Sequence, residues 1–476
     1  MTGEAVVTRL KNIEEIAGAD KIVQAKILGE TVITSKDNVE GTLGVLFDCE
    51  TLLSEEFVRK NNMFRHSELN DNKEIVGMFD DVPRVRPIRL RGVKCSAFFM
   101  PLDGFEYTGL AQTLKENDKF TELGAFKICE KYIPKQKEKG SSNQPKAIKV
   151  NYVPAFKEHN DTDHILKSVP DIPVGRFVIT KKLHGTSARY AKLPARNPTL
   201  LERLKNRSKN PNQKLLNRAL KYNWFTSLVA KIPQFGQKFE YRNVVGSRTV
   251  VKSVEGLFEN PNQGFYEEDL WSTVSHKTFG DNLLKGETVY FEIVGYEKSG
   301  KGIMTSSNTK SLEKFVDKTE YKDAVAKFGQ VVEWNYGVPK GEADVYVYRI
   351  TNTNADGEAI DLSWEQVKKR CEKLDVKHVP EMYEGKIVGH LAEDKTLKTL
   401  LFDDEYANQK FAGMDLATAV DAIANEADHN GTYPEGICLR VEGYPNCKIW
   451  KHKTYGFKVL EGIIKDKGET SLEEEN

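Results

Sequence analysis

A lysine at the end of an apolar run is the residue of this sequence best suited to covalent chemistry. The run Phe177-Val178-Ile179-Thr180 predicts a β-strand, and Lys182 follows it shortly before Gly185. Lysine amines form covalent intermediates, and glycine permits backbone angles and close approaches that a Cβ would forbid. By itself the pattern Lys-x-x-Gly is more typical of a surface hairpin, because it occurs by chance roughly three times in a chain of this composition.

Two acidic residues downstream suit a metal ion beside a phosphate. Glu292 follows the apolar run Val289-Tyr290-Phe291, and Glu435 precedes Gly436-Ile437-Cys438-Leu439. Mg²⁺ binds one or two carboxylates together with waters and substrate oxygens. Taken singly, each residue is equally typical of an ordinary surface acid.

Two lysines and two tyrosines have the spacing of residues on one strand face. Lys451 and Lys453 are two residues apart, so a strand would place both ammonium groups on the same side. There they could neutralise a triphosphate and, as neighbouring cations, favour the neutral amine that Lys182 needs for attack. A solvated strand fits the same spacing. Tyr346 and Tyr348 likewise share a face, and either is suited to stacking on a base or to packing in a core.

Six segments in consistent order resemble the motifs of the covalent nucleotidyltransferases. Lys182-x-His184-Gly185-Thr186 resembles motif I, in the form that is typical of nick-sealing RNA ligases. The segments that resemble motifs Ia, III, IIIa, IV and V are, in turn, Ser247-Arg248-Thr249, Phe291 to Gly295, Val345 to Ile350, Glu435 to Cys438 and Lys451-His452-Lys453.

The resemblance implies a ligase that works through a lysyl-AMP intermediate, with Lys182 as the nucleophile and with ATP and Mg²⁺ (or Mn²⁺) as cofactors. It implies Glu435 and Glu292 as metal ligands. It implies nucleotide contacts from His184, Gly185, Arg248, Glu292, Tyr348, Lys451 and Lys453. One residue departs from the pattern, because Lys181 stands where such ligases often carry a glutamate that accepts a hydrogen bond from adenine, and lysine cannot accept one.

The first 108 residues have short apolar or alternating runs between Gly, Asp and Asn turns, which predicts a small β-barrel. The region resembles the N-terminal OB module of Deinococcus-type RNA ligases. Arg84, Arg86, Arg89 and Arg91 alternate along a predicted strand around Pro87, giving it a basic face for nucleic acid. An edge strand protected from aggregation by arginine and proline fits the same residues.

We predict an α+β fold, with the OB-like barrel followed by a nucleotidyltransferase (ATP-grasp-like ligase) domain of antiparallel sheets with flanking helices. The predicted divisions are an OB domain over 1–108, a helix and linker over 109–150 (the helix near 109–129 and the linker over 134–146), an adenylyltransferase domain over 151–465 and an acidic tail over 466–476. Between motifs I and Ia, residues 191–240 form a basic insert, suited either to tracking a phosphate backbone or to a solvated helix face. Ser363-Trp364-Glu365-Gln366 predicts a capping box that begins a helix.

The composition limits which binding partners and which cellular compartment we expect. Lysine plus arginine and aspartate plus glutamate both total 70 of the 476 residues, so any nucleic-acid contact must come from local basic patches. The sequence carries no signal peptide and no long apolar span, and its six cysteines form no Cys-x-x-Cys pair. We therefore expect a cytoplasmic protein that is not secreted and has no membrane partner. We also expect a monomer.

The function that the resemblance implies is RNA ligation at nicks in duplex RNA or an RNA/DNA hybrid, with a preference for ribonucleotide 3′-OH ends. A DNA ligase or an RNA capping guanylyltransferase carries its OB domain after motif V, whereas only 23 residues follow Lys453 here. A non-catalytic nucleic-acid-binding relative would have lost a reactive position, yet the residues that resemble reactive positions are all present: Lys182, Glu292, Glu435, Lys451 and Lys453.

Overall fold

The computed structural model describes residues 3–49, 51–133, 152–159, 162–197, 239–260, 266–391 and 398–466, with side chains as far as residue 463. In this part of the chain, no helix is long and apolar enough to cross a membrane. The fold mixes antiparallel sheets with a smaller number of helices, as the α+β prediction requires.

The N-terminal region is built from short antiparallel strands. Four of them form a sheet in the order Lys119–Phe120, Ala5–Arg9, Leu43–Asp48 and Ala97–Pro101, and three form a second sheet in the order Ile13–Glu15, Ile22–Ile27 and Glu30–Ser35. The described residues form no closed sheet here, so the OB barrel stays a prediction. The remaining strands and helices of this region are Thr51–Leu53, Glu55–Lys60, Ser67–Leu69, Ile88–Leu90, Val93–Cys95, Leu102–Thr108, Ala111–Thr113, Glu122–Leu123, Phe126–Lys127 and Cys129–Lys131.

The helix predicted near residues 109–129 is wrong. After a short 3-10 turn, the chain returns to the N-terminal sheets: Lys119–Phe120 pairs with Ala5 and Val6, and Cys129–Lys131 pairs with Thr51–Leu53. Asn117 and Gly124 adopt positive φ angles, which an α-helix does not contain. The N-terminal sheets therefore extend to Lys131, beyond the predicted boundary at 108, and the predicted linker over 134–146 lies outside the described residues.

Two larger sheets form the rest of the molecule. The first is called the lysine sheet because one of its strands ends at Lys182. Its strand order is Asp163–His164, Lys448–Lys453, Gly436–Val441, Gly175–Lys182, Glu381–Ile387 and Leu400–Phe402. The second, the central sheet, has the order Phe258–Glu259, Val251–Val254, Phe239–Ser247, Thr186–Arg196, Glu287–Gly295, Ala343–Thr353 and Ala359–Asp361, with Lys377–His378 paired to Ala343–Thr353. Only residues 183–185 separate the last strand residue of the lysine sheet from the first of the central sheet.

Helices cover these sheets with their apolar faces. Leu416–Asn425 begins at Asp415, whose carboxylate accepts the backbone N–H of Thr418 at 2.7 Å, and its buried face packs with the core of the lysine sheet. The remaining helices and two-residue strands of this part are Leu166–Asp171, Leu270–Phe279, Ser307–Asn308, Thr309–Leu312, Lys318–Phe328, Val331–Val332, Trp364–Leu374, Glu405–Lys410 and Tyr455–Asp466.

The capping box predicted at Ser363 is confirmed. The Ser363 hydroxyl accepts the backbone N–H of Gln366 at 3.3 Å, and the Gln366 side chain accepts the N–H of Ser363 at 2.9 Å. These reciprocal bonds satisfy donors that the first turn of a helix leaves unpaired. The helix Trp364–Leu374 begins directly after this box.

Two buried ion pairs join the N-terminal region to helices that flank the lysine sheet. Lys458, on the helix Tyr455–Asp466, pairs with Glu30, and Lys167 pairs with Asp48. Removing one member of a buried pair leaves a charge without compensation, which costs about 3–5 kcal/mol. The two pairs therefore hold the N-terminal region against the helix Tyr455–Asp466 and the 3-10 helix Leu166–Asp171.

Candidate active site

A cleft lies where the lysine sheet meets the central sheet. Both sheets contribute to its walls, because the chain crosses from one to the other at this point. Its lining includes the predicted site residues Lys182, Arg248, Glu292, Tyr348 and Lys451, together with His159, Thr162, Thr180, Lys181, Leu183, Ser187, Trp364, Val379, Cys438, Arg440 and Ile449.

Lys182 is the last residue of the strand Gly175–Lys182, as predicted, and Gly436 of the neighbouring strand stands opposite it. Its Nζ lies 2.7 Å from Oε1 of Glu435; the lysine side chain is 17% exposed and the glutamate side chain is fully buried. The pair fixes the position of the amine. Because an adjacent carboxylate favours the charged ammonium, Lys182 must lose this interaction before it can act as a nucleophile.

Gly185 is required for the packing of the two sheets rather than for an unusual backbone angle. It does not adopt a positive φ angle. A Cβ at this position would lie 2.4 Å from the carbonyl oxygen of Ile293, 2.8 Å from Cγ1 of Val294 and 2.9 Å from Cγ of Glu292. The glycine thus permits the connection between the sheets to pass close to the strand that carries Glu292, and its predicted nucleotide contact stays a prediction.

Gly185→Ala should lower the free energy of unfolding by about 1–3 kcal/mol, the usual cost of an overpacked core. Because the nearest atoms belong to the strand of Glu292, it should also slow covalent labelling by ATP by up to about 100-fold through misplacement of the site. Denaturant unfolding and labelling rates measure the two effects. Gly389→Ala is the matched control, since its Cβ would meet only the end of the Thr399 side chain, at 3.0 Å. Equal behaviour of the two variants would contradict the packing role of Gly185.

His184, predicted to contact the nucleotide, does not line the cleft. Its ring packs edge-on against Trp334 and Phe457, at 5.0 Å from each ring centre, and the side chain is buried. Its backbone N–H donates to the Tyr336 hydroxyl at 2.6 Å. The His184 side chain therefore belongs to an aromatic cluster outside the cleft, and it packs next to the end of the strand that carries Lys182.

Glu292 and Glu435 fit a divalent cation. Both are buried, and Oε2 of Glu435 accepts no hydrogen bond from the described residues. A buried carboxylate oxygen without a donor is costly unless a cation supplies the missing charge. The described residues contain no cluster of three or more His, Cys, Asp and Glu side chains. A cation here would therefore take its other ligands from water and phosphate oxygens, as Mg²⁺ does.

Tyr348, and not Tyr346, lines the cleft. The strand Ala343–Thr353 contains a bulge, because Tyr290 pairs with Arg349 whereas Phe291 pairs with Val347, which leaves Tyr348 as the extra residue. Bulges redirect side chains. The Tyr348 hydroxyl is hydrogen-bonded to the Ser187 hydroxyl at 2.9 Å, and burial raises its pKa. Tyr346 packs instead beside His429.

Lys453 does not line the cleft with Lys451. The strand Lys448–Lys453 forms as predicted, but Nζ of Lys453 donates to both carboxylate oxygens of Glu461, at 3.1 and 2.9 Å. Glu461 belongs to the next helix and is itself buried, so the lysine is held on the helix side of the strand end. The strand pairs in regular register, so what the period of two did not reveal is the buried carboxylate that the following helix supplies.

Lys181 lines the cleft and donates through Nζ to the backbone carbonyl of Asp428. Burial lowers its pKa, against the opposing effect of the Asp428 carboxylate and with a smaller contribution from Lys327. As the sequence indicated, this side chain offers no acceptor to a base. Recognition of a base must therefore come from other residues of the cleft.

The four arginines predicted to form a basic strand face are not arranged that way. Only Ile88–Leu90 is a strand, since Pro87 has no N–H and Arg91 adopts a positive φ angle. Arg84 is 5% exposed; it lies over the Tyr132 ring and donates to the Gly462 carbonyl at 3.3 Å. The other three have protein partners of their own: Arg86 pairs with Asp80, Arg89 donates to the Val316 carbonyl and Arg91 donates to the Gly18 carbonyl.

The basic insert over 191–240 lies mostly outside the described residues. Of its lysines and arginines, Lys192 and Arg196 are described, and both stand on the strand Thr186–Arg196. The acidic tail over 466–476 lies outside as well, except for its first residue, Asp466, which ends the last helix.

Sequence reasoning missed His159, Ser187 and the buried Arg189. Arg189 donates to the carbonyls of Ser247, at 2.8 Å, and of Lys157, and thereby ties together the two segments that carry Arg248 and His159 into the cleft. Burial lowers its pKa to about 10. An arginine between Ala188 and Tyr190 in an apolar strand was the available signal, because a charge in such a run has a buried partner or a function.

The chain belongs to the RNA ligase family: residues 175–459 match the family model described as RNA ligase. A search of curated proteins finds no match. The structure resembles solved structures of Naegleria gruberi RNA ligase. An apo mutant matches with a TM-score of 0.54 and 16% identity, covering 96% of this chain and 98% of that one. A mutant with ATP and Mn matches with a TM-score of 0.53 and 16% identity, covering 95% of this chain and 98% of that one. The ligase with PPi matches with a TM-score of 0.52 and 15% identity, covering 96% of this chain and 98% of that one. At this identity the likeness concerns the fold.

Proposed function

We propose that this chain is an ATP-dependent RNA ligase that joins a 5′-phosphate to a 3′-hydroxyl at nicks in duplex RNA or an RNA/DNA hybrid. The observation that carries the proposal is the position of Lys182, held 2.7 Å from buried Glu435 in a cleft that also contains Glu292, Arg248 and Lys451. Membership of the RNA ligase family supports it. So does a fold shared with a ligase that was solved with ATP and Mn and with AMP and Mn.

In the first step, the Lys182 amine loses a proton to solvent and attacks the α-phosphorus of ATP. A P–N bond forms, the nitrogen gives up a second proton to solvent, and the bond between the α-phosphorus and the bridging oxygen of pyrophosphate breaks. Arg248 and Lys451 supply positive charge in the cleft where negative charge moves toward the leaving group. Because the amine starts as the partner of Glu435, the step requires that this ion pair separates.

In the next two steps the nucleotide moves to the polynucleotide and is then released. An oxygen of the 5′-phosphate attacks the lysyl-AMP phosphorus, so that a phosphoanhydride forms and the P–N bond breaks, while the leaving Lys182 nitrogen takes up a proton from solvent. The 3′-hydroxyl oxygen then attacks the 5′-phosphate phosphorus and loses its proton to solvent, while AMP leaves. Tyr348 is our candidate for stacking on the adenine during these steps.

A divalent cation, Mg²⁺ or Mn²⁺, would be held by Glu292 and Glu435. When bound, such a cation offsets the charge of phosphate oxygens. Lys451, Arg248 and Lys181 also offset the charge of phosphate oxygens, because their three cationic side chains line the same cleft.

The nucleic acid would extend from the cleft toward the N-terminal region. Arg86 and Arg91, both at exposed positions, stay candidates for phosphate contacts, whereas the buried Arg84 does not. We propose that Arg89 serves chiefly to join the N-terminal region to the part of the chain that carries the two larger sheets, because it donates to the Val316 backbone carbonyl at 2.7 Å.

The test is incubation of the purified chain with labelled ATP, GTP or NAD⁺ and Mg²⁺ or Mn²⁺, followed by denaturing electrophoresis. We expect a covalently labelled band with ATP and sealing of a nicked RNA duplex. Labelling by GTP alone would favour a capping guanylyltransferase. Labelling by none of the three would favour a non-catalytic relative and would contradict the proposal.

A further inference from the structure

We propose that His159 is a specificity-determining residue that binds the nucleoside of ATP, by a hydrogen bond from its imidazole ring to the base or the ribose. The inference rests on the proposed function and deepens it. The observations behind it are the position of the ring in the cleft, a buried ring nitrogen without a partner, and the absence of an acceptor on Lys181.

The ring of His159 lies beside the residue that is suited to stacking on a base. Its centre is 5.4 Å from that of Tyr348 and 5.8 Å from that of Tyr290, and His159 lines the cleft with Tyr348. Nδ1 of His159 is buried and makes no hydrogen bond to any described residue. A buried polar nitrogen is normally hydrogen-bonded, so a ligand in the cleft is the natural partner of this one.

The backbone holds His159 in place before any ligand binds. Its N–H donates to the Arg248 carbonyl at 3.0 Å, which joins it to the end of the strand Phe239–Ser247. Arg189 adds a second connection, because it bonds the carbonyls of both Lys157 and Ser247. A side chain fixed in this way loses little freedom on binding, which favours selectivity.

The burial and the positive charges around the His159 imidazole favour its uncharged form, which is suited to binding a neutral group of a ligand. Burial is the main cause that lowers the pKa of His159, and the charges of Arg248, Arg349, Arg189 and Lys182 contribute in that order; together they lower it to about 3. The ring is therefore uncharged at neutral pH and presents one donor and one acceptor. Phosphates are better matched by the cationic side chains of the cleft, whereas base edges and ribose hydroxyls are neutral groups that such a ring can bind.

The experiment compares wild type, His159→Leu and His159→Asn as full-length proteins in the covalent labelling assay. The nucleotides are ATP, GTP, purine riboside triphosphate, which lacks the 6-amino group, and 2′-deoxyATP. We expect His159→Leu to raise the KM for ATP about tenfold, the value of one hydrogen bond, with a smaller change in kcat. The preference of His159→Leu for ATP should also fall. If the ring binds the base, the preference over GTP and purine riboside triphosphate falls; if it binds the ribose, the preference over 2′-deoxyATP falls.

Asparagine keeps one donor and one acceptor, so His159→Asn should recover part of the affinity and of the preference. The effect of His159→Leu should be constant between pH 5 and 8, because a ring with a pKa of about 3 does not titrate there. Unfolding temperatures of the three proteins show whether the fold is kept. A wild type that is not labelled would contradict the proposed function, whereas a labelled wild type with an unchanged KM and unchanged preferences in His159→Leu would overturn only the role of His159.

Discussion

Lys182→Arg is expected to abolish covalent labelling by ATP and the sealing of ends that carry no AMP, while the chain stays folded. The guanidinium keeps a positive charge beside the buried Glu435, but it does not deprotonate near neutral pH and so provides no nucleophile. Lys182→Ala should also abolish labelling. It should in addition lose stability, by less than the 3–5 kcal/mol of a fully buried pair because Lys182 is 17% exposed.

Lys181→Ala is the matched control, since Lys181 precedes Lys182 and lines the same cleft. It should keep its label on Lys182, as peptide mapping of the labelled protein would show. The three variants are compared by gel labelling and by denaturant unfolding. Label on Lys182→Arg, or label that maps to Lys181 in the wild type, would mean that the nucleophile has been assigned wrongly.

The second large effect concerns the sugar at the 3′-hydroxyl end of the nick. Sealing should fall by several orders of magnitude, about 10⁴-fold, when the last nucleotides of that strand are DNA instead of RNA, and it should tolerate DNA on the 5′-phosphate side. A ribose end offers a 2′-hydroxyl and an A-form geometry. A site arranged to bind that hydroxyl leaves its polar groups unpaired when the hydroxyl is missing.

The measurement uses nicked duplexes that differ only in the last two sugars before the 3′-hydroxyl, with 5′ ends that already carry AMP so that only the last step is observed. Covalent labelling of the protein by ATP serves as the control, because it precedes contact with the nick and should not depend on these sugars. Comparable sealing rates on the ribose and the all-DNA ends would contradict the proposed preference and favour a ligase that also accepts DNA.

Local patterns predicted several elements correctly because the information lay within a few residues. Ser363 and Gln366 form the capping box that their spacing predicted, and Lys182 ends its strand. Motif resemblance also selected Arg248, Glu292 and Lys451, all of which line the cleft. Each of these predictions needed only a short segment in a regular conformation.

Predictions that depended on residues of other elements were less successful. Lys453 turned to Glu461, and His184 joined Trp334 and Phe457 in an aromatic cluster. Arg84 was buried against Tyr132. In each case an element from another part of the chain supplied a partner that strand periodicity does not reveal. The helix expected over 109–129 failed for a related reason, because Lys119–Phe120 found a pairing partner in Ala5–Arg9.

The amino-acid sequence by itself determined the order of the motif-like segments and selected Lys182 as the proposed nucleophile, since both depend on residue types in short segments. Tertiary structure decided which side chains share the cleft. The bulge at Tyr348 selected that tyrosine over Tyr346, and the crossing of the chain from one sheet to the other at residues 183–185 brought Lys182 to the strand of Glu292. Only the folded chain placed His159 beside Tyr348, because the two are 189 positions apart in sequence and meet through the pairing of strands.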